Sequence, residues 1–169
     1  KIAHIVFGLP GVGKSEILRS LAQFIQKKDF PDREYVYFNS ISDMEKRRDI
    51  LQNPGKYYFV LDIRTSFLTI DQIKGTPKIG NEKTNAWEEY TKPPWVHLVI
   101  SPDAAGVLLL DEINQGTTSV LNMMFQLLLD RILDSDPLGK DVFVCAAGNI
   151  GAQFTVNDIP IPVLTRGKV

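Results

Sequence analysis

Residues Gly8-Leu9-Pro10-Gly11-Val12-Gly13-Lys14-Ser15 follow the pattern G-x-x-x-x-G-K-[ST] without a mismatch. Few short motifs constrain a fold as tightly. The glycines allow a backbone turn with positive φ and bring N–H groups close to an anion. A helix starting at the lysine adds unpaired N–H donors and the positive end of its dipole. The flanking sequence fits. Residues 2–7 are largely apolar and β-branched, and from Ser15 onward Ile17, Leu18, Leu21, Phe24 and Ile25 recur at helical spacing. The motif therefore predicts a strand, a phosphate-cradling loop and a helix. Lys14 would place a point charge on the outer phosphates, and Ser15 a hydroxyl on Mg²⁺.

The rest of the chain alternates in the same manner. Strands are predicted at 35–38, 57–63, 106–110 and 141–146. Ser42 followed by Glu45 reads as a capping box for a polar helix over 43–52, stopped before Pro54-Gly55. A short helix at 70–73 would stop at Gly75, and Val120, Leu121, Met124, Phe125, Leu128 and Ile132 mark an amphipathic helix. Residues 76–94 mix charge, Pro and Gly with Trp87 and Tyr90, and read as a long irregular loop before Trp95. Alternation of strand and helix predicts an α/β fold on a parallel sheet.

Val107-Leu108-Leu109-Leu110-Asp111-Glu112 sets two carboxylates at the end of a strand apolar on both faces. Ligands sit at the carboxyl ends of strands in open α/β sheets. Neighbouring strand residues face opposite ways, so the two acids can differ in role. Asp111 is expected to hold Mg²⁺ together with Ser15, and Glu112 to polarise an attacking water. Asn149 ends the next apolar strand. It reads either as a turn residue beside Gly148 or as an amide that orients the same water or touches the γ-phosphate.

Composition narrows the classes further. The 169 residues are 44% apolar and 23% charged, which excludes a disordered chain and fits one domain over 1–169. Lys+Arg is 19 against Asp+Glu 20, so a global electrostatic grip on nucleic acid or anionic lipid is not expected. A single cysteine, Cys145, permits neither an intrachain disulfide nor a cysteine zinc cluster, and fits a reducing, cytoplasmic setting. The sequence has no apolar run long enough to span a membrane. It opens on Lys1 in strand pattern and closes on Arg166-Gly167-Lys168-Val169, and so reads as a piece of a longer protein.

Together these residues resemble an AAA+ ATPase, most closely the MoxR-like group and its dynein-related, helix-2-insert relatives. Residues 8–15 resemble the group's Walker A motif, 107–114 with Ile113 and Asn114 its Walker B pattern, and 142–149 its sensor 1 strand. The stretch from Leu61-Asp62 through Gly75-Thr76-Pro77 to Pro93-Pro94-Trp95 is similar to the group's segment before Walker B. The resemblance implies a three-layer αβα P-loop sheet of strand order 5-1-4-3-2, with the fifth strand and helical lid largely absent from this chain. It implies ATP and Mg²⁺, with nucleotide lined by Gly8, Leu9, Pro10, Gly11, Val12, Gly13, Lys14, Ser15 and Glu16, and metal at Ser15 and Asp111. Lys14, Glu112, Asn149 and Arg166 would be catalytic. Arg166 would act as an arginine finger toward a neighbouring subunit, or else is a solvated helix-end arginine.

A homo-oligomeric ring, hexameric by resemblance, would then remodel, assemble or activate a protein client. Rival readings are a nucleotide-dependent switch or scaffold with little turnover, and a DNA-directed motor. A small-molecule kinase would need an acceptor pocket and a mobile basic lid, of which the sequence shows no obvious version. Absence of an Asn-Lys-x-Asp motif favours adenine over guanine. His4, His97 and Cys145 read as packed or solvated side chains, and Met123, Met124 and Phe125 as core. Trp87, Tyr90 and Trp95 read as loop anchors or substrate contacts.

Overall fold

The computed structural model describes residues 4–9, 11–77 and 90–149. Strand β1 (His4–Gly8) leads into α1 (Lys14–Asp29), then β2 (Glu34–Tyr37), α2 (Met44–Gln52) and β3 (Tyr57–Arg64). The short α3 (Asp71–Lys74) and β4 (Thr76–Pro77) follow, and β5 (Tyr90–Thr91), α4 (Pro94–Ile100) and β6 (Ala105–Asp111) come next. The described part closes with α5 (Thr118–Asp130), β7 (Ile132–Leu133), β8 (Asp136–Pro137) and β9 (Asp141–Asn149). Five strands form one sheet in the order β1-β9-β6-β3-β2, every neighbour parallel. The run β1-β9-β6-β3 is the 1-4-3-2 part of the order that the resemblance implies. Beyond β3, β2 widens the sheet at the far edge.

Alternation along the central strands divides the core into two layers. Phe59, Leu61, Leu108 and Leu110 face one side and pack with Ile50 of α2, Val96 and Val99 of α4 and the buried row of α5. Tyr58, Val60, Val107 and Leu109 face the other side, where Leu18 and Ala22 of α1 meet them. Both faces are covered, which is why β6 reads as unbroken apolarity.

Several local expectations need correction. The apolar residues of α1 form two adjacent stripes. The sheet takes the one containing Leu18, Ala22 and Ile25, and Ile17, Leu21 and Phe24 stay exposed. Ser15 and Arg19, on the same side as Leu18 and Ala22, bond to aspartates of the sheet and so choose the stripe. Helix α2 is capped by Asp43, which accepts from the Glu45 N–H at 2.9 Å, rather than by Ser42. Helix α5 stops at Asp130 because Arg131 is left-handed, and 132–137 fold back as a two-residue ladder.

The stretch read as irregular is partly ordered. Thr76–Pro77 pairs antiparallel with Tyr90–Thr91, and Pro94 opens a helix that buries Val96, Leu98 and Val99. Trp95 donates its indole N–H to the Gln72 carbonyl at 2.9 Å, anchoring that segment. Trp87 lies outside the described residues. Gly75 ends α3 as expected: its φ is +87°, and a Cβ there would lie 2.1 Å from the Thr91 carbonyl oxygen. Among the described residues no helix is long and apolar enough to cross a membrane.

Cys145 is buried in the α1-side layer, and burial pushes its thiol from the ordinary 9.0 up to about 11. The folded state keeps a proton that the unfolded chain releases. Stability from this group is therefore full below pH 9 and lost as pH rises toward about 11. The difference corresponds to about 3 kcal/mol. Cys145→Ala should flatten the alkaline loss of stability, read as urea midpoints across that range; identical slopes in both proteins would contradict this assignment.

Candidate functional site

The site begins where β1 bends into α1. Gly11 and Gly13 are left-handed, at φ +77° and +85°, a region that a side chain would strain. Gly13 is the N-cap of α1, and among the described residues no side chain caps that helix. Its first-turn N–H groups are thus left for an anion, unlike those of α2, where Asp43 serves. The Lys14 ammonium folds back over the loop. It donates to the carbonyls of Gly8 (3.0 Å) and Leu9 (2.9 Å) and to Asn149 Oδ1 (3.1 Å). Leu9 and Val12 carry exposed side chains, so only their main chain bears on this arrangement. Pro10 lies outside the described residues.

The second half of the site is the end of β6. Ser15 Oγ donates to Asp111 Oδ2 at 2.8 Å, which ties the loop helix to the central strand. Asp111 Oδ1 accepts from the Glu112 N–H at 2.9 Å. The two acids part company for a reason other than strand alternation: Glu112 is left-handed, at φ +54°, so the chain turns immediately after Asp111. That turn is held from β3's side. The fully buried Thr65 hydroxyl lies 2.6 Å from the Glu112 carbonyl and 3.2 Å from that of Asp111. The neighbouring Ser66 hydroxyl donates to Glu112 Oε2.

Asn149 is placed by Asn114, the last residue of the 107–114 motif. Asn114 Nδ2 donates to the Asn149 carbonyl at 2.9 Å, and the Asn149 N–H donates to Asn114 Oδ1 at 3.2 Å. Both residues are buried. This reciprocal clamp aims the Asn149 amide oxygen at Lys14.

Lys14, Ser15, Glu16, Arg19, Asp111, Glu112 and Asn149, with Gly11 and Gly13, line one cavity of about 330 Å³. Arg19 was not singled out by sequence. Its hydrogen bond to Asp62 raises its pKa, with burial opposing. A larger cavity of about 630 Å³ lies beyond Asp62, walled by Phe67, Leu68 and Trp95, and includes none of the loop residues.

Among the described residues no cluster of three or more His, Cys, Asp or Glu could cage a metal unaided. One hydroxyl beside one carboxylate fits a divalent ion that takes its remaining ligands from phosphate and water, the habit of Mg²⁺. His4 and His97 are exposed, with no such cluster near them. Arg166 lies outside the described residues.

A parallel sheet, a glycine-rich turn into a helix and an acid at the end of a central strand define a P-loop α/β nucleotide-binding class. A family model described as AAA domain (dynein-related subfamily) matches residues 3–156, and the chain belongs to that family. Members of this family bind nucleotide, generally with Mg²⁺.

A crystal structure of a protein from Cytophaga hutchinsonii ATCC 33406, assigned as an ATPase, shares the fold. Its TM-score is 0.51 at 18% identity, covering 98% of this chain and 39% of that one. NtrX from Brucella abortus is also similar, at TM-score 0.42 and 13% identity over 90% of this chain and 28% of that one. This chain therefore spans well under half the length of either structure. No curated protein matches it.

The clamp makes a measurable demand. Asn114→Ala leaves the buried Asn149 N–H and carbonyl without these partners, which should cost about 1–3 kcal/mol. Urea denaturation reads this directly, and an unchanged midpoint would show that the clamp holds nothing.

Proposed function

We propose that this domain binds ATP with Mg²⁺ and hydrolyses it. The observation that carries this reading is the 2.8 Å contact from Ser15 on the loop helix to Asp111 on the central strand. It sets a hydroxyl and a carboxylate side by side, next to uncapped helix amides and a lysine. Magnesium, when bound there, offsets phosphate charge.

The remaining work belongs to the chain's own groups. The N–H groups of the loop and of α1's first turn bind phosphate oxygens. Lys14 exchanges its loop carbonyls for the terminal phosphates and keeps its line to Asn149. Asn149, clamped by Asn114, orients the attacking water. Glu112 accepts that water's proton at a carboxylate oxygen. Arg166 reaches a neighbouring subunit's nucleotide in a homo-oligomeric ring, and turnover is used on a protein client.

A second reading has its own support. The Ser66 hydroxyl already occupies Glu112 Oε2. A carboxylate oxygen held in this way is not open to an attacking water, which suits a nucleotide-dependent switch that turns over slowly. One variant tests the binding site and a second separates the readings. Lys14→Ala should weaken ATP binding by about ten- to a hundredfold. Glu112→Gln should keep ATP affinity within a few-fold and lower single-turnover hydrolysis by about 10²–10⁴. Equal, slow hydrolysis by wild type and Glu112→Gln would favour the switch and remove Glu112 from the chemistry.

A further inference from the structure

Helix α1 carries the phosphate loop, yet little apolar surface seats it. Leu18 and Ala22 are its only fully buried side chains, whereas Ile17, Leu21 and Phe24 are 67%, 48% and 62% exposed. Two polar rungs set its place instead, four residues apart and so one helical turn. The first is Ser15 to Asp111. The second is Arg19 Nη2 to Asp62 Oδ2, at 2.7 Å. Asp62 pairs in register with Leu109 and Arg64 with Asp111, so the two aspartates lie diagonally on neighbouring strands, on the face that α1 covers.

The Arg19 fork gathers three elements. Nη2 also reaches the Tyr37 hydroxyl of β2 at 3.1 Å, and Nη1 lies 3.3 Å from Glu16 Oε2 on α1 itself. The guanidinium rests 4.8 Å from the Tyr37 ring centre. The Asp62 side chain is only 10% exposed. Arg19 Nε and Asp62 Oδ1 are buried with no hydrogen-bond partner among the described residues. An ion pair with an orphaned atom on each side is poorly compensated for its desolvation, so stability alone is a weak account of it. What it does achieve is orientation: a planar fork fixes both distance and angle, which a lysine does not.

The geometry points to Arg19 as a positioning residue that, through Asp62 and Tyr37, sets the approach of Ser15 to Asp111 and thereby the metal-dependent part of nucleotide binding. The inference rests on the magnesium–nucleotide reading of the same site. The loop amides and Lys14 do not depend on Arg19, because Lys14 is tied to Gly8, Leu9 and Asn149. Metal-dependent and metal-independent binding should therefore separate.

The test titrates a fluorescent ADP analogue into the full chain, with Mg²⁺ and with EDTA. Arg19→Met should weaken binding about tenfold in Mg²⁺, the usual cost of losing an outer-shell partner, and by less than about twofold in EDTA. Asp62→Leu should reproduce this, Arg19→Lys should recover part of it, and the double variant should bind no more weakly than either single one. In the nucleotide-free chain, amide exchange at residues 17–20, the first bonded amides of α1, should quicken in Arg19→Met while β6 stays protected. An equal loss in both buffers, or a lowered Tm with the Mg²⁺ effect intact, would overturn the assignment. If the wild type binds the analogue in neither buffer, the nucleotide reading itself fails. Unchanged exchange at residues 17–20 would still reject the role of Arg19 on its own.

Discussion

The hydrogen bond between Ser15 and Asp111 is the point at which distant parts of the chain become one site. Ser15 belongs to the first helix and Asp111 to a strand almost a hundred residues later. They meet because β1, β9 and β6 run parallel and end at the same edge of the sheet, with β9 between the other two. The middle strand contributes too, since its last residue, Asn149, spans from Asn114 to Lys14. Three strand ends and one helix start thus supply a hydroxyl, a carboxylate, an amide and an ammonium within one small cavity. Any error in strand order would scatter these groups along different edges.

Most of that cavity could be read from the chain before any coordinates. The loop is local in sequence, and each residue type in it answers to a backbone or charge requirement. The acid pair and Asn149 each terminate an apolar run, and in a parallel sheet such termini converge. Residues whose role is set by tertiary contact were not visible in this way. Thr65 and Ser66 follow a strand with no pattern to mark them, yet they hold the turn at Glu112 from the neighbouring strand. Asn114 stood in plain view within the acidic motif, but nothing local says that it faces Asn149.

The error over α1 has the same origin. Helical spacing groups Ile17, Leu18, Leu21, Phe24 and Ile25 together, whereas the structure buries Leu18 and Ala22 and leaves Ile17, Leu21 and Phe24 exposed. Two polar contacts outweigh the apolar spacing because a misplaced Arg19 or Ser15 would leave a carboxylate of the sheet unpaired. Helix α4 was hidden for a different reason. Pro93-Pro94 reads as loop, although a proline at the first turn of a helix loses no hydrogen bond. The ladder of 132–137 was missed because Ile132 keeps the helical period after the helix has stopped, and only the left-handed Arg131 marks the end.

The central claim is a place for one ion. The most direct measurement is a crystal structure of the full chain with a non-hydrolysable ATP analogue and Mn²⁺, the metal located by its anomalous signal. The account predicts a single peak at about 2.0–2.2 Å from Ser15 Oγ, next to Asp111, with the phosphates over the loop. A metal peak remote from Ser15, or phosphates bound away from residues 8–15, would contradict it.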